Sequence, residues 1–474
     1  MDLPPQDLSE TGTDGQPGAK ARLPPPLPAD VIRDRAPGGA ITNDAIVLGL
    51  TGAFGSGCTT LADALAADLG FERFRISTLI EEEWVRREQE AGRGGLDVPH
   101  RIVKQDIGDE LRRTNLAYWV ELAATRIDEG PGPVTHVVLD GIRNPGEVEW
   151  LRRRFKRFFL VGVDAPPAKR WSRLEQTEEW KDWTRADYDD TSSRDAEAPE
   201  DHGQRVQQCM DLADFLITND RDEKTARKAG HALLSKAQDF LRLCEGPSRR
   251  PSDDEFLMHL AYNTATGSAC LKRNVGAVIV RPGESRLISI EEDELKRAAR
   301  VVGVGFNENP DWMKPCYLHY EMCYRDIWRK EVWEKSGYKQ CPHCGEDVRA
   351  LKWPYKCNGC KRGLLQSMFP ERAMTRCTAI HAEVRAILSA SEQDLTGCHM
   401  FVTTMPCFLC AEQILQAGIT QVVYFEPYPD TDAQVILRDH GVVVRRFEGV
   451  KSLAFTRFFG NWRQQAEKQM AMEP

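Results

Sequence analysis

Short apolar runs alternate with longer helical segments through the first half of this 474-residue chain. The apolar runs have the length of buried strands and lie at residues 45–50, 137–143, 158–163 and 215–218. Segments with apolar residues at helical spacing lie at residues 101–128 and 222–244. Strands that alternate with helices predict a doubly wound α/β unit, which we place at residues 42–246.

A second unit is predicted after a break at residues 245–248. Its first helix has an apolar face over residues 253–266, with Ser252 as the cap. Strand-like runs follow at residues 274–280, 301–307, 421–425 and 441–447. This order predicts an α/β/α sandwich with a mixed sheet at residues 252–466. Residues 1–41 are rich in Pro, Gly and Asp, lack an apolar period and are predicted to be a disordered tail.

The composition excludes several classes of protein. A chain of 474 residues is too long for one compact core. Its 63 Lys and Arg against 72 Asp and Glu give a net charge of -9, which argues against binding of nucleic-acid backbones by bulk charge. No apolar run is long enough to span a bilayer and no signal peptide is recognised, so we expect a cytoplasmic protein. The 14 cysteines are then expected to be metal ligands and free thiols.

Two short motifs predict a catalytic zinc site. His381, Cys407 and Cys410 offer one nitrogen and two sulfurs, which leaves the fourth position of a tetrahedral zinc for water. Pro406 comes before the Cys-x-x-Cys pair and suits a helix entry, where thiolates are favoured. Glu383 lies two residues after the histidine and is predicted to move protons between this water and a substrate.

The alternative is a structural site, in which His381 is a core residue and the two cysteines form half of a zinc knot. Such a site would need a fourth protein ligand. Packing also gives no reason for a carboxylate beside the histidine or for a proline before the cysteine pair. We therefore favour the catalytic interpretation.

A second cysteine group lies in an insertion between the two motifs. Two Cys-x-x-Cys pairs at this separation are typical of a zinc ribbon, which we place at about residues 338–366. Four sulfurs leave no open position, so this zinc is predicted to be structural, held by Cys341, Cys344, Cys357 and Cys360. A redox role for one pair would leave the other pair unexplained.

A glycine-rich loop joins the first strand of the first unit to its first helix. The loop matches a P-loop, except that cysteine stands where the motif has lysine. Its backbone N–H groups and a following hydroxyl suit a phosphate and Mg²⁺, and an aspartate that ends the next apolar run suits the role of magnesium-organising acid. The candidate nucleotide-binding residues are Gly52, Gly55, Ser56, Gly57, Cys58, Thr59, Thr60 and Asp140.

The order of parts in this first unit resembles the P-loop kinases of nucleotides and of dephospho-coenzyme A. The charged segment 177–200, which has no apolar period, lies where such kinases carry a lid. We expect binding of a regulatory nucleoside triphosphate, whereas phosphoryl transfer is disfavoured because Cys58 removes a charge that the reaction needs. The alternative is a kinase-like scaffold that serves regulation or assembly alone.

The His-x-Glu and Pro-Cys-x-x-Cys motifs together are the signature of zinc nucleobase deaminases. From about Ala45 onward, the P-loop unit, the zinc unit and the ribbon together resemble the bacterial anti-phage dCTP deaminases. The resemblance implies conversion of dCTP to dUTP during infection, by attack of zinc hydroxide on cytosine C4 with loss of ammonia. It also implies that Asn307 bonds the ribose hydroxyl, and Tyr428 is a further candidate substrate contact. We also expect a homo-oligomer.

One position departs from the family pattern, since deoxycytidylate deaminases commonly have asparagine where this chain has Arg385. A cation that faces the pocket there would favour a more highly phosphorylated substrate, and one that faces solvent would not. Three other functions stay open: a housekeeping dCMP deaminase for thymidylate synthesis, an editor of single-stranded polynucleotides, and a nucleotide-sensing scaffold. The acidic balance counts against the editor, which needs a basic groove.

Overall fold

The computed structural model describes residues 41–460, with gaps at 93–100, 130–131, 176, 178–179, 181–182, 197, 199, 221–224, 247–248, 284–299, 353–354, 356, 361–363, 365–376 and 428–431. The predicted disordered tail lies outside the described residues, apart from Ile41 at the start of the first strand. Among the described residues, no helix has both the length and the apolar character needed to cross a bilayer.

A six-stranded sheet forms the centre of the first unit. Its strands are β1 (Ile41–Thr51), β2 (Glu72–Arg75), β3 (Val134–Asp140), β4 (Phe158–Asp164), β5 (Phe215–Thr218) and β11 (Gly449–Val450). The order is β11-β5-β4-β1-β3-β2, and every neighbouring pair except β11 with β5 is parallel. Successive β1 residues Val47 and Leu48 are buried in different apolar clusters, one on each face. The predicted doubly wound sheet is confirmed.

Helices cover both faces of this sheet. They are α1 (Cys58–Leu69), α2 (Ile76–Glu90), α3 (Arg101–Arg112), α4 (Tyr118–Asp128), α5 (Pro145–Arg154), α6 (Pro167–Leu174), α7 (Arg185–Ala196), α8 (Val206–Leu212) and α9 (Ala226–Glu245). The segment 101–128 is two helices, because a turn at Asn115, whose side chain accepts from the Ala117 N–H, separates them. The charged segment 177–200 holds α7, whose buried positions Tyr188, Thr191 and Asp195 lie on one face.

The second unit is built on a five-stranded mixed sheet. Its strands are β6 (Gly276–Arg281), β7 (Arg300–Phe306), β8 (His399–Thr404), β9 (Gln421–Glu426) and β10 (Val443–Arg446), in the order β10-β9-β8-β6-β7. β8, β9 and β10 are parallel, whereas β6 is antiparallel to both of its neighbours. The helices around it are α10 (Asp253–Ala265), α13 (Ala382–Leu388), α14 (Phe408–Gln416) and α15 (Asp432–Asp439). Ser252 caps α10 in a capping box with Glu255, as its position predicts.

An insertion between β7 and α13 carries its own small core. It begins with α11 (Cys316–His319) and α12 (Tyr324–Ser336). Trp333 from α12 packs against Val348 and Tyr355, and two of the ribbon cysteines are buried in the same cluster. The ribbon is therefore attached to the rest of the insertion through α12.

The end of the chain departs from the predicted second unit, which was placed at residues 252–466. After β10 the chain returns to the first unit, where β11 pairs with β5 and α16 (Ser452–Phe459) covers the sheet. Phe458 from α16 packs against Phe159 and Phe240 of the first unit. The strand has two residues and no recognisable pattern, so the sequence offered no sign of this return.

Candidate active site

Two helix starts bring the predicted metal ligands together. His381 is the residue before α13, Cys407 is the residue before α14, and Cys410 lies in the first turn of α14. The loop before α13 is fixed by a bridge in which Glu308 and Ile380 exchange backbone hydrogen bonds of 2.8 and 3.2 Å. Both ligand loops therefore begin helices that rest on the same sheet.

Close packing of α13 on β7 depends on two glycines. A Cβ added at Gly305 would lie 2.4 Å from the Ala382 carbonyl oxygen, and one at Gly303 would lie 2.5 Å from that of Ala386. Larger residues at these positions would push the helix, and with it the histidine, away from the sheet. The two glycines therefore let α13 approach β7 closely, and this approach sets the position of His381 relative to the sheet.

The three ligand atoms have the separations of a tetrahedral metal site. His381 Nδ1 lies 3.2 Å from Cys410 Sγ and 3.4 Å from Cys407 Sγ, and the two sulfurs are 3.7 Å apart. Ordinary zinc–sulfur and zinc–nitrogen bond lengths give tetrahedral edges of about 3.5–3.8 Å. The donor set therefore fits Zn²⁺ with one position left for a non-protein ligand.

The acid predicted to move protons lies beside these ligands. Glu383 is 4% exposed, and burial raises the pKa of its carboxyl above the ordinary value. A hydrogen bond with Cys410 lowers the pKa of the Cys407 thiol to about 4, so this sulfur is a ready metal ligand. A buried carboxyl next to a metal site is the arrangement that general acid–base catalysis uses.

An open cavity of about 300 Å³ leads from the surface to these residues. Its floor includes His381, Glu383 and Cys407, and Asn307 lies in its wall. The Asn307 side chain accepts from the Val275 N–H at 2.7 Å and donates to the Arg273 carbonyl at 2.8 Å. Asn307 thus fixes the loop before β6 and keeps one further proton and lone pair for a ligand.

Arg385, another predicted substrate residue, lies away from this cavity. Arg385 forms an ion pair with Asp311, and its guanidinium lies 4.9 Å from the centre of the Phe306 ring. It is not among the described residues that line the cavity. Tyr428 lies outside the described residues.

The cavity also has lining residues that the motifs did not predict. Three of them are cations, Lys272, Arg273 and Arg325, and three are thiols, Cys270, Cys323 and Cys377. These residues reach the cavity from segments that are distant in the sequence, so no local spacing predicts that they line one site. The two adjacent cations before β6 were the one signal available in the sequence.

The second predicted cysteine group also comes together. Cys341 and Cys360 have sulfurs 3.7 Å apart, and those of Cys344 and Cys357 are 3.4 Å apart. All four ligand atoms lie within 4.8 Å of one another. Four sulfurs at these separations fit a closed structural zinc site.

The P-loop residues form a compact turn before α1. Gly57 has φ of 110°, a backbone conformation that favours glycine, and Thr59 and Thr60 lie in the first turn of the helix. The Thr59 hydroxyl donates to Asp140 at 2.9 Å, so the two residues predicted to organise Mg²⁺ are in contact. Burial raises the pKa of the Cys58 thiol to about 12, so the residue in the lysine position is neutral.

A small basic cavity of about 70 Å³ adjoins this turn. Thr59 and Asp140 line it together with Arg75, Lys104 and Arg143. Arg112, which is 1% exposed, also lines it and uses its Nε to bind Glu147 at 2.8 Å, while its two Nη atoms make no hydrogen bond. One of these atoms, Nη1, lies 3.5 Å from Asp109 Oδ1 in an ion pair. Buried donors that lack a full set of hydrogen bonds are expected where an anion binds.

The fold and the sites together define a chain that joins a P-loop unit to a unit with a candidate zinc site. A model of the cytidine and deoxycytidylate deaminase zinc-binding region matches residues 251–426, and a model of an AAA domain matches residues 48–200. The chain therefore carries a cytidine or deoxycytidylate deaminase zinc domain and a P-loop kinase-like domain. The AAA match covers the predicted glycine loop and the aspartate strand.

Three named relatives match parts of the chain. Deoxycytidylate deaminase of Saccharomyces cerevisiae is 28% identical over 204 residues, which are 42% of this chain and 46% of that protein. This match thus spans about half the length of the yeast protein. Deoxycytidylate deaminase of Schizosaccharomyces pombe is 27% identical over 315 residues, 65% of this chain and 76% of that protein. A UPF0200 protein of Aeropyrum pernix is 33% identical over 129 residues, 27% of this chain and 63% of that protein.

Proposed function

We propose that this protein is a zinc-dependent deaminase of deoxycytidine nucleotides that converts dCTP to dUTP. The observation that carries the proposal is the buried Glu383, which lines one open cavity together with two residues, His381 and Cys407, of the three-residue metal site that Cys410 completes. The named relatives that act on deoxycytidylate support the same base and sugar. In the cell, removal of dCTP would deprive an infecting phage of a DNA precursor.

The chain supplies a binding site and a proton carrier for this reaction. Zinc, when bound by His381, Cys407 and Cys410, supplies a Lewis acid that lowers the pKa of a water molecule. Glu383 takes a proton from the attacking water at a carboxylate oxygen and passes it to the base, so that the water oxygen bonds to C4 while the C4–N bond breaks and ammonia departs. Asn307 fixes the loop before β6 in the wall of the cavity and keeps a donor and an acceptor for the sugar hydroxyl.

The test is a comparison of cytosine compounds as substrates of the purified, zinc-loaded protein. Ammonia release is measured with dCTP, dCMP, deoxycytidine, cytidine and single-stranded DNA, with His381→Ala as the control that lacks the catalytic zinc. The proposal expects dCTP as the best substrate and no product from DNA. The absence of ammonia from all five compounds would refute a deaminase function.

A preference for dCMP is the second candidate. The relatives named as deoxycytidylate deaminases favour it, since their name gives dCMP as the substrate. The same assay decides between the two, because kcat/KM for dCMP above that for dCTP would indicate a role in supplying dUMP. Protection of cells from phage by wild-type protein but not by Glu383→Gln is expected for the defence role.

We further propose that the P-loop domain binds a nucleoside triphosphate with Mg²⁺ and regulates the deaminase without fast hydrolysis. The contact of Thr59 with Asp140 and the basic cavity beside it favour binding. The neutral Cys58 disfavours transfer, because it cannot stabilise charge on a departing phosphoryl group.

The test of this regulation is the substitution Gly57→Asp. A Cβ at this position would lie 2.5 Å from Asn219 Nδ2, and φ of 110° is strained for any side chain. Nucleotide affinity measured by calorimetry is expected to fall at least about tenfold, and dCTP turnover to change, relative to Gly132→Asp, where an added Cβ meets nothing within 4 Å. Unchanged affinity and turnover would show that the domain is a scaffold.

A further inference from the structure

The active-site cavity has an uneven distribution of charge. Lys272, Arg273 and Arg325 line it, whereas Glu383 on the floor is the one acid among its described lining residues. Glu383 therefore shares the cavity with cations that come from other segments of the chain. An uncharged nucleoside would not need them, but a phosphorylated one would.

One of these cations comes from the insertion that carries the zinc ribbon. Arg325 lies in the first turn of α12, and Cys323 directly before this helix lines the cavity as well. The same helix carries Trp333 into the core of the ribbon. The ribbon is therefore connected through one helix to the wall of the active site.

The insertion also positions a second cation. Asp326, which is 5% exposed, forms an ion pair with Lys272, and Arg329 one turn further along α12 lies 3.7 Å from the same carboxylate. Lys272 is 41% exposed, so it remains open to a ligand at the mouth. A buried carboxylate that holds an exposed lysine fixes the place of its charge without covering it.

The third cation, Arg273, is held by the end of β9 and not by the insertion. Arg273 lies 3.6 Å from Glu426 at the end of β9, and its carbonyl accepts from Asn307. Glu426 also accepts from Met405 N–H through its backbone oxygen at 2.8 Å, two residues before the metal ligand Cys407. Arg273 is therefore placed relative to the metal loop itself.

We propose that the ribbon insertion is a specificity element, and that Arg325, Lys272 and Arg273 bind the phosphate chain of the nucleotide substrate. This inference rests on the proposed deaminase function and adds to it the residues that recognise phosphate. It explains why a structural zinc site lies within the chain segment that separates the two catalytic motifs: the metal fixes α12, and α12 supplies one cation and orients another.

The experiment compares Arg325→Gln and Arg273→Gln with Lys335→Gln, a control on the exposed side of α12. kcat/KM is measured for dCTP, dCMP and deoxycytidine, and the competitive Ki of deoxycytidine against dCTP is measured where its turnover is too slow. Zinc content of each variant is determined as a check that both metal sites remain. Two variants from different segments guard against a folding defect in one of them.

The expected result is a loss that grows with the number of phosphates. Each substitution should lower kcat/KM for dCTP by about 10- to 100-fold, lower it less for dCMP and leave deoxycytidine within about twofold. Arg325→Lys, which keeps the charge, should recover part of the loss. Equal losses for all three compounds at full zinc content would overturn the inference while leaving the deaminase function intact. A wild-type protein that deaminates none of them would overturn the proposed function itself.

Discussion

Buried charged side chains in this protein have roles that depend on their neighbours. Glu383 and Asp326 are both buried acids, at 4% and 5% exposure, yet one lies beside metal ligands and the other holds a lysine. Lys451 is buried to a similar degree, at the junction of the two domains. In each case the neighbours decide whether the group carries protons, orients a partner or joins two surfaces.

Glu383→Gln should abolish deamination while zinc content stays near that of wild type. The amide keeps the shape of the side chain but cannot carry the proton, and loss of a general acid–base group costs about 10²- to 10⁴-fold in rate. Ammonia release and elemental analysis of the same preparation measure the two quantities. Turnover within tenfold of wild type would contradict the role assigned to this carboxyl.

Lys451 gives the stability of the protein a dependence on pH. Burial lowers the pKa of its ammonium from 10.5 to about 7, among Asp211, Asp214, Glu426 and Arg446. Its Nζ donates to the carbonyls of Met210 and Asp211, which the two protons of a neutral amine can satisfy. Between about pH 7 and 10.5 the unfolded chain therefore holds a proton that the folded protein has released, and stability rises with pH.

Lys451→Met should remove this rise. Urea unfolding of wild type and variant at pH 7, 8 and 9 measures it, because other titrating groups contribute equally to both proteins. The difference in unfolding free energy between wild type and variant should shift in favour of wild type as pH increases. Parallel pH profiles would show that the Lys451 ammonium stays charged in the folded protein.

At the scale of elements, features that depend on local sequence could be predicted more fully than features that depend on long-range contacts. The metal trio could be found because each ligand is adjacent to a helix start, and β5 (Phe215–Thr218) was predicted to the residue by its apolar run. The roles of Arg325 and Asp326 could not be predicted from the sequence, because these roles arise only when α12 packs beside the loop before β6. Arg385 was predicted near the substrate by its place in a motif, but the helix turns it toward Asp311.

Cys357→Ser tests the ribbon as an element. The protein should fall from about two zinc ions per chain to about one, since three thiolates remain at a site that needs four ligands. The insertion should become more sensitive to proteolysis and kcat/KM for dCTP should decrease, because α12 loses its support. His381→Ala is the matched variant, which loses the other zinc and keeps the ribbon. A single zinc in the wild-type protein would refute the two-site assignment.

At the scale of the whole molecule, the two domains are joined by polar contacts near the P-loop. Glu448, just before β11, accepts from the Thr218 N–H at 3.0 Å and from Lys236 Nζ at 2.8 Å. Asn219, the next residue after Thr218, donates to the carbonyl of Ser56 in the P-loop at 2.8 Å. A route of direct contacts thus links the loop that would hold a nucleotide to the segment that leaves the deaminase sheet.

Glu448→Ala should weaken this junction. The Thr218 N–H loses its acceptor and Lys236 loses its ion-pair partner while keeping the Thr218 carbonyl, and for this partly exposed pair the expected cost is about 1 kcal/mol. Thermal unfolding should show a lower midpoint than for Asp439→Ala, an exposed acid at the end of α15. Equal midpoints for the two variants would show that Glu448 does not stabilise the junction.

The pairing of β11 with β5 also has a consequence for how the chain folds during synthesis. Glu448 lies 230 residues after Thr218, so the ribosome makes the whole deaminase domain before the edge of β5 finds its partner. At about 5–20 residues per second, that edge waits roughly 10 to 50 seconds. An exposed strand edge can pair with the wrong strand. The newly synthesised P-loop domain is therefore protected from aggregation at this edge only after β11 has been made and has paired with β5.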